Sequence, residues 1–178
     1  YTIFSKLMEV KMENIIYTHI FKTPIGNLFS AFVNEKLVIL NYFDEEKIEI
    51  QLKKVKKHFK TDLIEEKESI LLKKELDEYF HNKREKFSIK YDNIGTVFQK
   101  NVWNQLNKIP YGETISYKQE ANFLNKPTAF RAVANANAKN MIMILVPCHR
   151  VISSSGKLSG YAAGGVSNKE FLLNLEKK

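Results

Sequence analysis

Residues 144–152 read Ile-Leu-Val-Pro-Cys-His-Arg-Val-Ile and contain the only cysteine of the chain, Cys148, inside an apolar run. A lone cysteine in such surroundings is commonly an inert, buried side chain. Because His149 follows it directly, the same stretch also offers a thiol beside a possible base, as a reactive cysteine requires. Taken alone, the stretch leaves both interpretations open, and the rest of the chain must decide between them.

Helix signals begin near Gly95, upstream of this stretch. Thr96 stands three residues before Gln99, and Ser116 three residues before Gln119, which is the capping-box spacing that marks the start of a helix. The first of these helices is predicted to end at the Pro-Tyr-Gly of 110–112. Its apolar residues recur at helical spacing: Phe98, Val102, Leu106 and Ile109.

A turn at 125–127, Asn-Lys-Pro, separates the second helix from a third, predicted over 128–137. Two short helices joined by a short turn predict a helix-turn-helix. Arg131 projects from the third helix. Small residues recur there at helical spacing: Ala129, Ala132, Val133 and Ala136. They form either a core face or a face that lets the backbone approach nucleic acid closely.

The two segments that flank Cys148 complete the second half of the chain. Residues 141–146 are apolar and predict a strand that leads into Pro147. Ser167 and Glu170 repeat the capping-box spacing and predict the start of a last helix. The apolar face of that helix would consist of Phe171, Leu172 and Leu175.

The first half of the chain has the pattern of a sheet with helices. Short apolar stretches over 15–43, separated by turn residues, predict antiparallel strands joined by hairpins. A helix is predicted over 68–81, and 83–92 reads as a strand or an extended linker. The charged segment between strands and helix has apolar residues at helical spacing: Val55, Phe59 and Leu63. We therefore predict an α+β fold (α/β in the broad sense), with a small antiparallel-sheet domain followed by a mostly helical domain that carries the helix-turn-helix.

Charge separates the two halves. Residues 1–94 carry 17 Lys+Arg and 16 Asp+Glu, a net of +1, whereas residues 95–178 carry 11 and 4, a net of +7. A concentration of positive charge on one domain is the footprint of a polyanionic partner. The single cysteine excludes a disulfide framework and a multi-cysteine zinc site, and it favours a reduced, cytoplasmic protein. We predict no bound metal.

An ordered series of short motifs between Gly95 and Glu176 resembles the O6-alkylguanine-DNA alkyltransferase family, also called methylated-DNA–protein-cysteine methyltransferases. The matching stretches are Ile-Pro-Tyr-Gly-Glu-Thr at 109–114, Ser-Tyr at 116–117, Arg-Ala-Val at 131–133, Asn140, Pro-Cys-His-Arg-Val at 147–151 and Gly-Tyr at 160–161. The resemblance implies a flexible extension over 1–13, a ribonuclease-H-like α/β domain over 14–92, and a DNA-binding and alkyl-transfer domain over 93–178.

The resemblance implies a catalytic set around the cysteine. Cys148 would accept the alkyl group, and His149 would activate it through a bridging water, oriented by Glu176 on the last helix. Asn140 would brace the helix-turn-helix against the active-site segment, although the proline usual after it is Met141 here. Tyr117 would assist rotation of the base and donate a hydrogen bond to the departing guanine.

The resemblance also implies the DNA contacts and the pocket wall. Arg131 would fill the space vacated by the extruded base. The other DNA-binding candidates are Tyr117, Thr128, Ala129, Ala132 and Lys139. The pocket would be lined by Pro147, Val151, Tyr161 and Ala162. In many relatives a serine follows this tyrosine, and this chain has one extra residue before its last helix.

The function implied is direct-reversal DNA repair. A methyl or other alkyl group would pass from O6 of guanine, or from O4 of thymine, to Cys148, once per protein molecule. No cofactor is expected, and the partner would be duplex DNA bound by a monomer. Two alternatives fit parts of the pattern: a non-enzymatic helix-turn-helix protein that binds alkylated DNA, and a Cys-His hydrolase. The presence of Cys148 argues against the first, and the adjacency of the two residues argues against the second.

Overall fold

The computed structural model describes residues 13–158 and 160–177, so nearly all of the predicted N-terminal extension lies outside it. The chain begins with a four-stranded sheet in the order β3-β2-β1-β4. Strands β1, β2 and β3 are antiparallel neighbours, and β4 pairs with β1 in parallel. The bounds are β1 Ile16–Thr23, β2 Gly26–Val33, β3 Lys36–Tyr42, α1 Glu45–Phe59, β4 Ile64–Glu66 and α2 Ile70–Phe80.

After α2 an extended segment runs back along β3, where the Leu37 amide donates to the Lys90 carbonyl at 2.9 Å. The helical half follows. Its elements are α3 Val97–Leu106, β5 Ile115–Ser116, α4 Tyr117–Phe123, α5 Phe130–Ala138, a 3-10 helix Cys148–Arg150, β6 Val151–Ile152 and α6 Val166–Glu176. Strands β5 and β6 pair in parallel, and this pairing sets the start of α4 beside the Cys148 segment.

The two capping boxes that open α3 and α4 are confirmed. The hydroxyls of Thr96 and Ser116 each accept a hydrogen bond from the backbone amide of the glutamine three residues later. The side-chain oxygen of that glutamine accepts a second hydrogen bond from the backbone amide of the cap residue. These two pairs satisfy the free N–H groups of the helix ends locally, so neighbouring residues suffice to specify them. The predicted helix-turn-helix is also present as α4 and α5, with Asn125 left-handed at φ 55° in the turn.

The predicted strand over 141–146 is wrong. The segment folds into successive turns, with Ile144 at φ 70°, and only Ile142 forms an isolated bridge to Leu40 of β3. The Asn140 side chain explains the turns, because its amide nitrogen donates to the Val146 carbonyl and its oxygen accepts from the Ile142 amide, at 2.8 and 2.9 Å. One side chain thus takes backbone groups that a strand would pair with a neighbour.

The predicted capping box at Ser167 is also wrong. Helix α6 begins at Val166, with Gly165 at its N-cap and no side-chain cap. Gly164 and Gly165 both have positive φ, near 86°, and turn the chain into the helix before Ser167 is reached. In the first half, the helical spacing that continued to Leu63 stops at Phe59, because Lys60 is left-handed at φ 52° and ends α1.

The apolar core is shared by the two halves. A small cluster packs α1 against one side of the sheet. The larger cluster joins β1–β3 and α2 with α3, α5, α6 and the Cys148 segment. Where the two halves of the chain meet, the Leu40 amide donates to the Met141 carbonyl, and the Met143 amide donates to the Leu40 carbonyl, both at 2.8 Å. The predicted domain boundary near residues 90–95 stays a prediction, since the core crosses it.

Candidate active site

Cys148 lies in the 3-10 helix that follows Pro147, and the residue is 9% exposed. The backbone at Cys148 and His149 is therefore helical and not a continuation of an extended segment. In a 3-10 helix successive side chains diverge by about 120°, so the thiol and the imidazole still point in different directions. The Asn140 amide donates to Sγ at 3.3 Å. Asn140 therefore fixes both the turns before the cysteine and the position of its sulfur.

His149 is fully buried behind the cysteine. Its Nε2 lies 2.8 Å from Oε1 of Glu176, whereas its Nδ1 has no hydrogen-bond partner among the described residues. A carboxylate can only accept, so Nε2 carries the proton and Nδ1 has a free lone pair. Burial lowers the pKa of His149, and the Glu176 carboxylate only partly opposes that effect. The imidazole is thus neutral at physiological pH and available as a base.

Glu176 is the most heavily hydrogen-bonded side chain of the site. Besides His149, it accepts from Tyr79 Oη at 2.7 Å and from Arg150 Nε and Nη2 at 2.8 and 3.0 Å. The Gly112 amide adds a longer contact at 3.4 Å. Burial alone would raise the pKa of Glu176, but the bonds from His149 and Arg150 hold that pKa well below its usual range. The carboxylate is therefore a fixed anion inside the protein.

Two further features hold this anion in place. Arg150 uses its remaining Nη1 to bind the Ile109 carbonyl at 2.8 Å, so its guanidinium joins the end of α3 to α6. Gly112 packs directly on the Glu176 backbone, where a Cβ would lie 2.6 Å from the carbonyl oxygen, and its φ is 79°. The Pro-Tyr-Gly turn after α3 can therefore carry only glycine at this point.

A small cavity opens beside Cys148. It is lined by Lys47, Tyr117, Ala134, Asn137, Ala138, Asn140, Met143, Cys148, Gly160, Tyr161, Ala162, Ala163 and Lys169. Of the predicted pocket residues, Tyr161 and Ala162 are brought to this cavity. Pro147 instead lines a groove on the other side, with Tyr111 and Arg150, and Val151 is buried with its carbonyl bound to Lys169.

Two lysines bring positive charge to the cavity. Lys169 is buried, donates to the Val151 carbonyl at 2.6 Å, and lies 5.7 and 5.9 Å from the ring centres of Tyr117 and Tyr161. Lys47 comes from α1 in the first half of the chain and donates to the Ala162 carbonyl. Burial raises the pKa of the Cys148 thiol, while the Asn140 bond and both lysines oppose that rise.

The two tyrosines of the cavity are held as phenols. Burial, and then the negative charge that Cys148 can carry, raise the pKa of Tyr117 and raise that of Tyr161 well above its usual value. A phenol that stays protonated can donate a hydrogen bond to a group that gains negative charge. Tyr117 begins α4 and Tyr161 precedes α6, so the two hydroxyls approach the thiol from different elements.

The helix-turn-helix presents its predicted DNA contacts to solvent. Arg131, on α5, is exposed, with its guanidinium 5.8 Å from the ring centre of Phe130. Thr128, Ala132 and Lys139 are exposed as well, and Ala129 is half-buried. The small-residue stripe is divided, because Val133 and Ala136 are core residues, and the Ala136 carbonyl accepts from Trp103 Nε1 at 2.9 Å. The core interpretation is therefore right for those two.

A second buried carboxyl group lies between α4 and α5. Glu120 is 0% exposed and accepts one hydrogen bond, from Asn137 Nδ2 at 2.7 Å. Its Oε1 and the Asn137 Oδ1 have no partner within the described part of the chain. Burial raises the pKa of Glu120 to about 7. No sequence pattern predicted a role for either residue, although Asn137 lines the cavity and Glu120 lies on α4, which begins with the cavity residue Tyr117.

Sequence reasoning missed four side chains of the site: Tyr79, Arg150, Lys47 and Lys169. Arg150 had a usable signal, because a buried acid next to the Cys-His pair would need a cation. The others had none, since lysines are common on α1 and α6 and Tyr79 belongs to an ordinary apolar helix face. Among residues 13–158 and 160–177, no group of three or more His, Cys, Asp or Glu could hold a metal ion.

Comparison with known proteins gives concordant results. Residues 97–178 match the family model described as 6-O-methylguanine DNA methyltransferase, DNA binding domain. A Methanosarcina barkeri methylated-DNA–protein-cysteine methyltransferase is 44% identical over 163 residues, covering 90% of this chain and 97% of the relative. The constitutive Bacillus subtilis protein of the same name is 38% identical over 157 residues, covering 88% and 92%.

Solved structures agree with this likeness. The Mycobacterium tuberculosis OGT in complex with DNA is similar to the whole fold, with a TM-score of 0.77 and 37% identity, covering 92% of both chains. An O6-methylguanine-DNA methyltransferase from Pyrococcus kodakaraensis shares the fold at 24% identity, with a TM-score of 0.65. No helix within the described ranges is long and apolar enough to span a membrane.

Proposed function

The chain belongs to the methylated-DNA–protein-cysteine methyltransferase family, and from that premise we propose how its own residues carry out the reaction. The protein performs direct-reversal DNA repair by methyl transfer from DNA to protein. The observation that carries the assignment of roles is the position of Cys148. Its sulfur borders the cavity and accepts a hydrogen bond from the Asn140 amide, and the buried His149–Glu176 pair lies behind it.

The transfer is a single displacement at the alkyl carbon. The Cys148 thiolate attacks the methyl group on O6 of guanine, a sulfur–carbon bond forms, and the carbon–oxygen bond breaks. The electron pair of the broken bond goes to the guanine, which leaves as an anion that takes up a proton. The product is a thioether, which is a poor leaving group, so each molecule acts once. The proposal extends the same displacement to O4-methylthymine, which also carries its methyl group on an exocyclic oxygen.

The thiolate is produced by a relay. The free lone pair on His149 Nδ1 receives the thiol proton through one solvent molecule, because the backbone turn directs the thiol and the imidazole apart. The imidazolium that results is stabilised by the Glu176 carboxylate on its other nitrogen. Lys169 and Lys47 stabilise the thiolate, which burial would otherwise disfavour.

Tyr117 assists the departing base. Its phenol lies at the cavity and stays protonated at physiological pH, because burial and the charge of Cys148 raise its pKa. A hydrogen bond from this hydroxyl to the purine grows stronger as negative charge develops there. Tyr161 forms the other wall, and the Ala162 amide, rather than a serine hydroxyl, is what this chain offers next to it.

The substrate base reaches the thiol by leaving the duplex. The sulfur is buried and its cavity is small, so a base inside the stack cannot bring its O6 substituent to it. Arg131 fills the gap that the extruded base leaves in the DNA base stack. The exposed Thr128, Ala132 and Lys139 contact the sugar-phosphate backbone of the DNA around that gap. We assign the bound state to a monomer on duplex DNA that carries O6-alkylguanine.

Replacement of Cys148 tests the assignment most directly. Cys148→Ser should abolish transfer from an O6-methylguanine duplex, whereas its affinity for unmodified duplex should stay within about threefold of wild type, because the thiol does not contact the backbone. Peptide mass spectrometry of the wild-type protein should find one added CH2 on the 148 peptide. A methylated peptide elsewhere, or methyl transfer by Cys148→Ser, would refute the role of Cys148.

Arg131 should matter for duplex DNA only. Arg131→Ala should slow repair of the duplex by about tenfold while the reaction with free O6-benzylguanine keeps its rate, since the free base leaves no gap to fill. Lys126→Ala, which removes an exposed cation from the turn before α5, serves as the charge-matched control. Equal slowing of both substrates would show that Arg131 has a structural role instead.

The non-enzymatic alternative is not adopted. A helix-turn-helix in the positively charged half of the chain could bind damaged DNA without a chemical reaction. The chain, however, keeps a cysteine at the cavity, and relatives that match nearly all of it are named as methyltransferases.

A further inference from the structure

Lys47 joins the first half of the chain to the wall of the cavity. It lies in the first turn of α1, is half-buried, and its ammonium donates to the Ala162 carbonyl, 115 residues away in sequence. Ala162 belongs to the segment 160–165, which we call the pocket loop and which supplies one side of the cavity. An ordinary surface lysine would extend into solvent and not reach a carbonyl of a distant loop.

The pocket loop depends on such contacts for its position. Gly160, Gly164 and Gly165 all have positive φ, and a loop of this composition has little conformational preference of its own. Asn168, just after the loop, ties it to the sheet by donating to the Ile25 and Ala163 carbonyls at 3.3 Å. Lys47 provides the corresponding tie on the α1 side, so both attachments come from the first half of the chain.

Lys47 also contributes charge. Burial lowers its pKa, and Cys148 is the first group that acts in the opposite direction, which means that the ammonium and a thiolate would stabilise each other. Other polar groups face the same sulfur from each side. They are Lys169 from α6, Tyr117 from α4, Tyr161 from the pocket loop and Asn140 before the turns. Lys169 is bound to the Val151 carbonyl, so of these two lysines it is Lys47 that is bonded to the pocket loop.

We propose that Lys47 is a positioning residue for alkyl transfer, through which the first half of the chain holds the pocket loop over Cys148 and adds positive charge beside the thiolate. This rests on the proposed function of Cys148 as the acceptor. It gives the N-terminal sheet and α1 a part in the chemistry, although most of the net positive charge and the motifs that carry the resemblance lie in residues 95–178.

Three variants separate this role from a general effect. Lys47→Met keeps the aliphatic stem and removes the charge and the donor, whereas Lys47→Arg keeps both. Lys57→Met removes an exposed lysine from the far end of the same helix and is the matched control. Two measurements are made on each: the rate of iodoacetamide alkylation of Cys148 against pH without DNA, and the single-turnover methyl transfer rate from an O6-methylguanine duplex.

Lys47→Met should raise the midpoint of the alkylation profile and lower transfer at neutral pH by about tenfold, because less thiolate is present and the loop is less ordered. Lys47→Arg should recover most of the rate, and Lys57→Met should match the wild type. The duplex affinity of Lys47→Met should change by less than about twofold, since the Lys47 ammonium is half-buried and bonded to the Ala162 carbonyl instead of being free to bind a phosphate. The midpoint is the diagnostic quantity, because a loosened loop alters access to the sulfur without changing the charge on it.

A Lys47→Met protein whose midpoint and transfer rate both equal those of Lys57→Met would overturn the proposal. If Lys47→Met melts at a lower temperature than the wild type, Lys47→Gln replaces it under the same criteria. Failure of the wild-type protein to transfer methyl would count against the proposed function, while the iodoacetamide midpoint would still decide the charge effect of Lys47.

Discussion

Two buried carboxyl groups in the second half of the chain have opposite fates. Glu176, behind Cys148, is 1% exposed and accepts hydrogen bonds from Tyr79, His149 and Arg150. Glu120, between α4 and α5, is 0% exposed and accepts from Asn137 alone. The pKa of Glu176 lies well below the usual range, and that of Glu120 is raised to about 7. The number and the charge of the donors, and not the burial, decide which carboxyl is ionised.

The difference matches what each region must do. The relay behind Cys148 needs a permanent anion to orient the imidazole and to stabilise its protonated form. The junction of α4 and α5 lies under the surface that we assign to DNA, where a fixed anion would repel phosphates. A carboxyl group with a pKa of about 7 is protonated in about half of the molecules at pH 7, so it can hold two helices together with less of that repulsion than a fixed anion. Substitutions that remove one acid, or one hydrogen-bond donor, at a time test whether Glu176 and Glu120 differ in ionisation.

The largest effect is expected from Glu176→Gln. The imidazole would lose its carboxylate, and transfer should fall by about 100-fold or more, as expected for loss of general-base function. The free energy of unfolding should fall by about 3 kcal/mol, because Arg150 is left buried without its anion. Single-turnover rates and urea melts check the two effects. Glu120→Gln, the matched substitution at the other acid, should keep transfer within about threefold of wild type.

The double variant His149→Ala/Glu176→Gln sharpens this result. If the two residues serve one relay, the loss in the double variant should be close to that of the worse single variant. Losses that simply multiply would mean that Glu176 acts on transfer independently of His149, in spite of the hydrogen bond between them.

Glu120→Gln should stabilise the protein at alkaline pH. The folded-state pKa of Glu120, about 7, is above the ordinary value of 4.5, so the native state binds the proton more tightly than the unfolded state. The stability that protonation contributes is complete below the ordinary value and is lost as pH rises to the folded value. Relative to wild type, Glu120→Gln should gain up to about 3 kcal/mol at pH 8 and little at pH 4.

Thermal melts across that pH range measure the gain. Glu113→Gln, at an exposed glutamate of the same half, is the control and should follow the wild-type curve. A constant difference between Glu120→Gln and wild type at all pH values would show that Glu120 is ionised in the native state and that the contrast with Glu176 is false.

Tyr79→Phe should produce the smallest change. It removes one donor from Glu176 and leaves Arg150 and His149 in place, so the free energy of unfolding should fall by about 1.5 kcal/mol. Transfer should stay within about twofold of wild type, because the carboxylate remains ionised. Tyr111→Phe, whose hydroxyl makes only a 3.5 Å contact with Asn82, is the control. A tenfold loss of transfer would place Tyr79 inside the relay itself.

Local signals in the sequence were sufficient for several elements. The capping box at Thr96 predicted α3, and the capping box at Ser116 with the turn at 125–127 predicted the helix-turn-helix, because each is completed by neighbours a few residues away. The motif around Cys148 pointed to the thiol and the imidazole, and the family resemblance pointed to Glu176; the structure places the carboxylate of Glu176 on the imidazole that follows the cysteine. The same reasoning failed for 141–146 and for Ser167, where apolar composition and spacing were consistent with more than one backbone conformation.

The amino-acid sequence alone was therefore sufficient for the order of most elements and for the family, and it singled out Cys148 as the acceptor that we propose. The ionisation state of the titratable side chains at the site depends on tertiary contacts that the sequence does not reveal. Tyr79 and Glu176 are 97 residues apart, and Lys47 and Ala162 are 115 apart, so no local pattern connects them. The reason is physical: the pKa of a buried group depends on the donors and charges that folding brings around it, and those come from anywhere in the chain. That is why two glutamates which look alike in the sequence become a permanent anion and an acid that titrates near neutral pH.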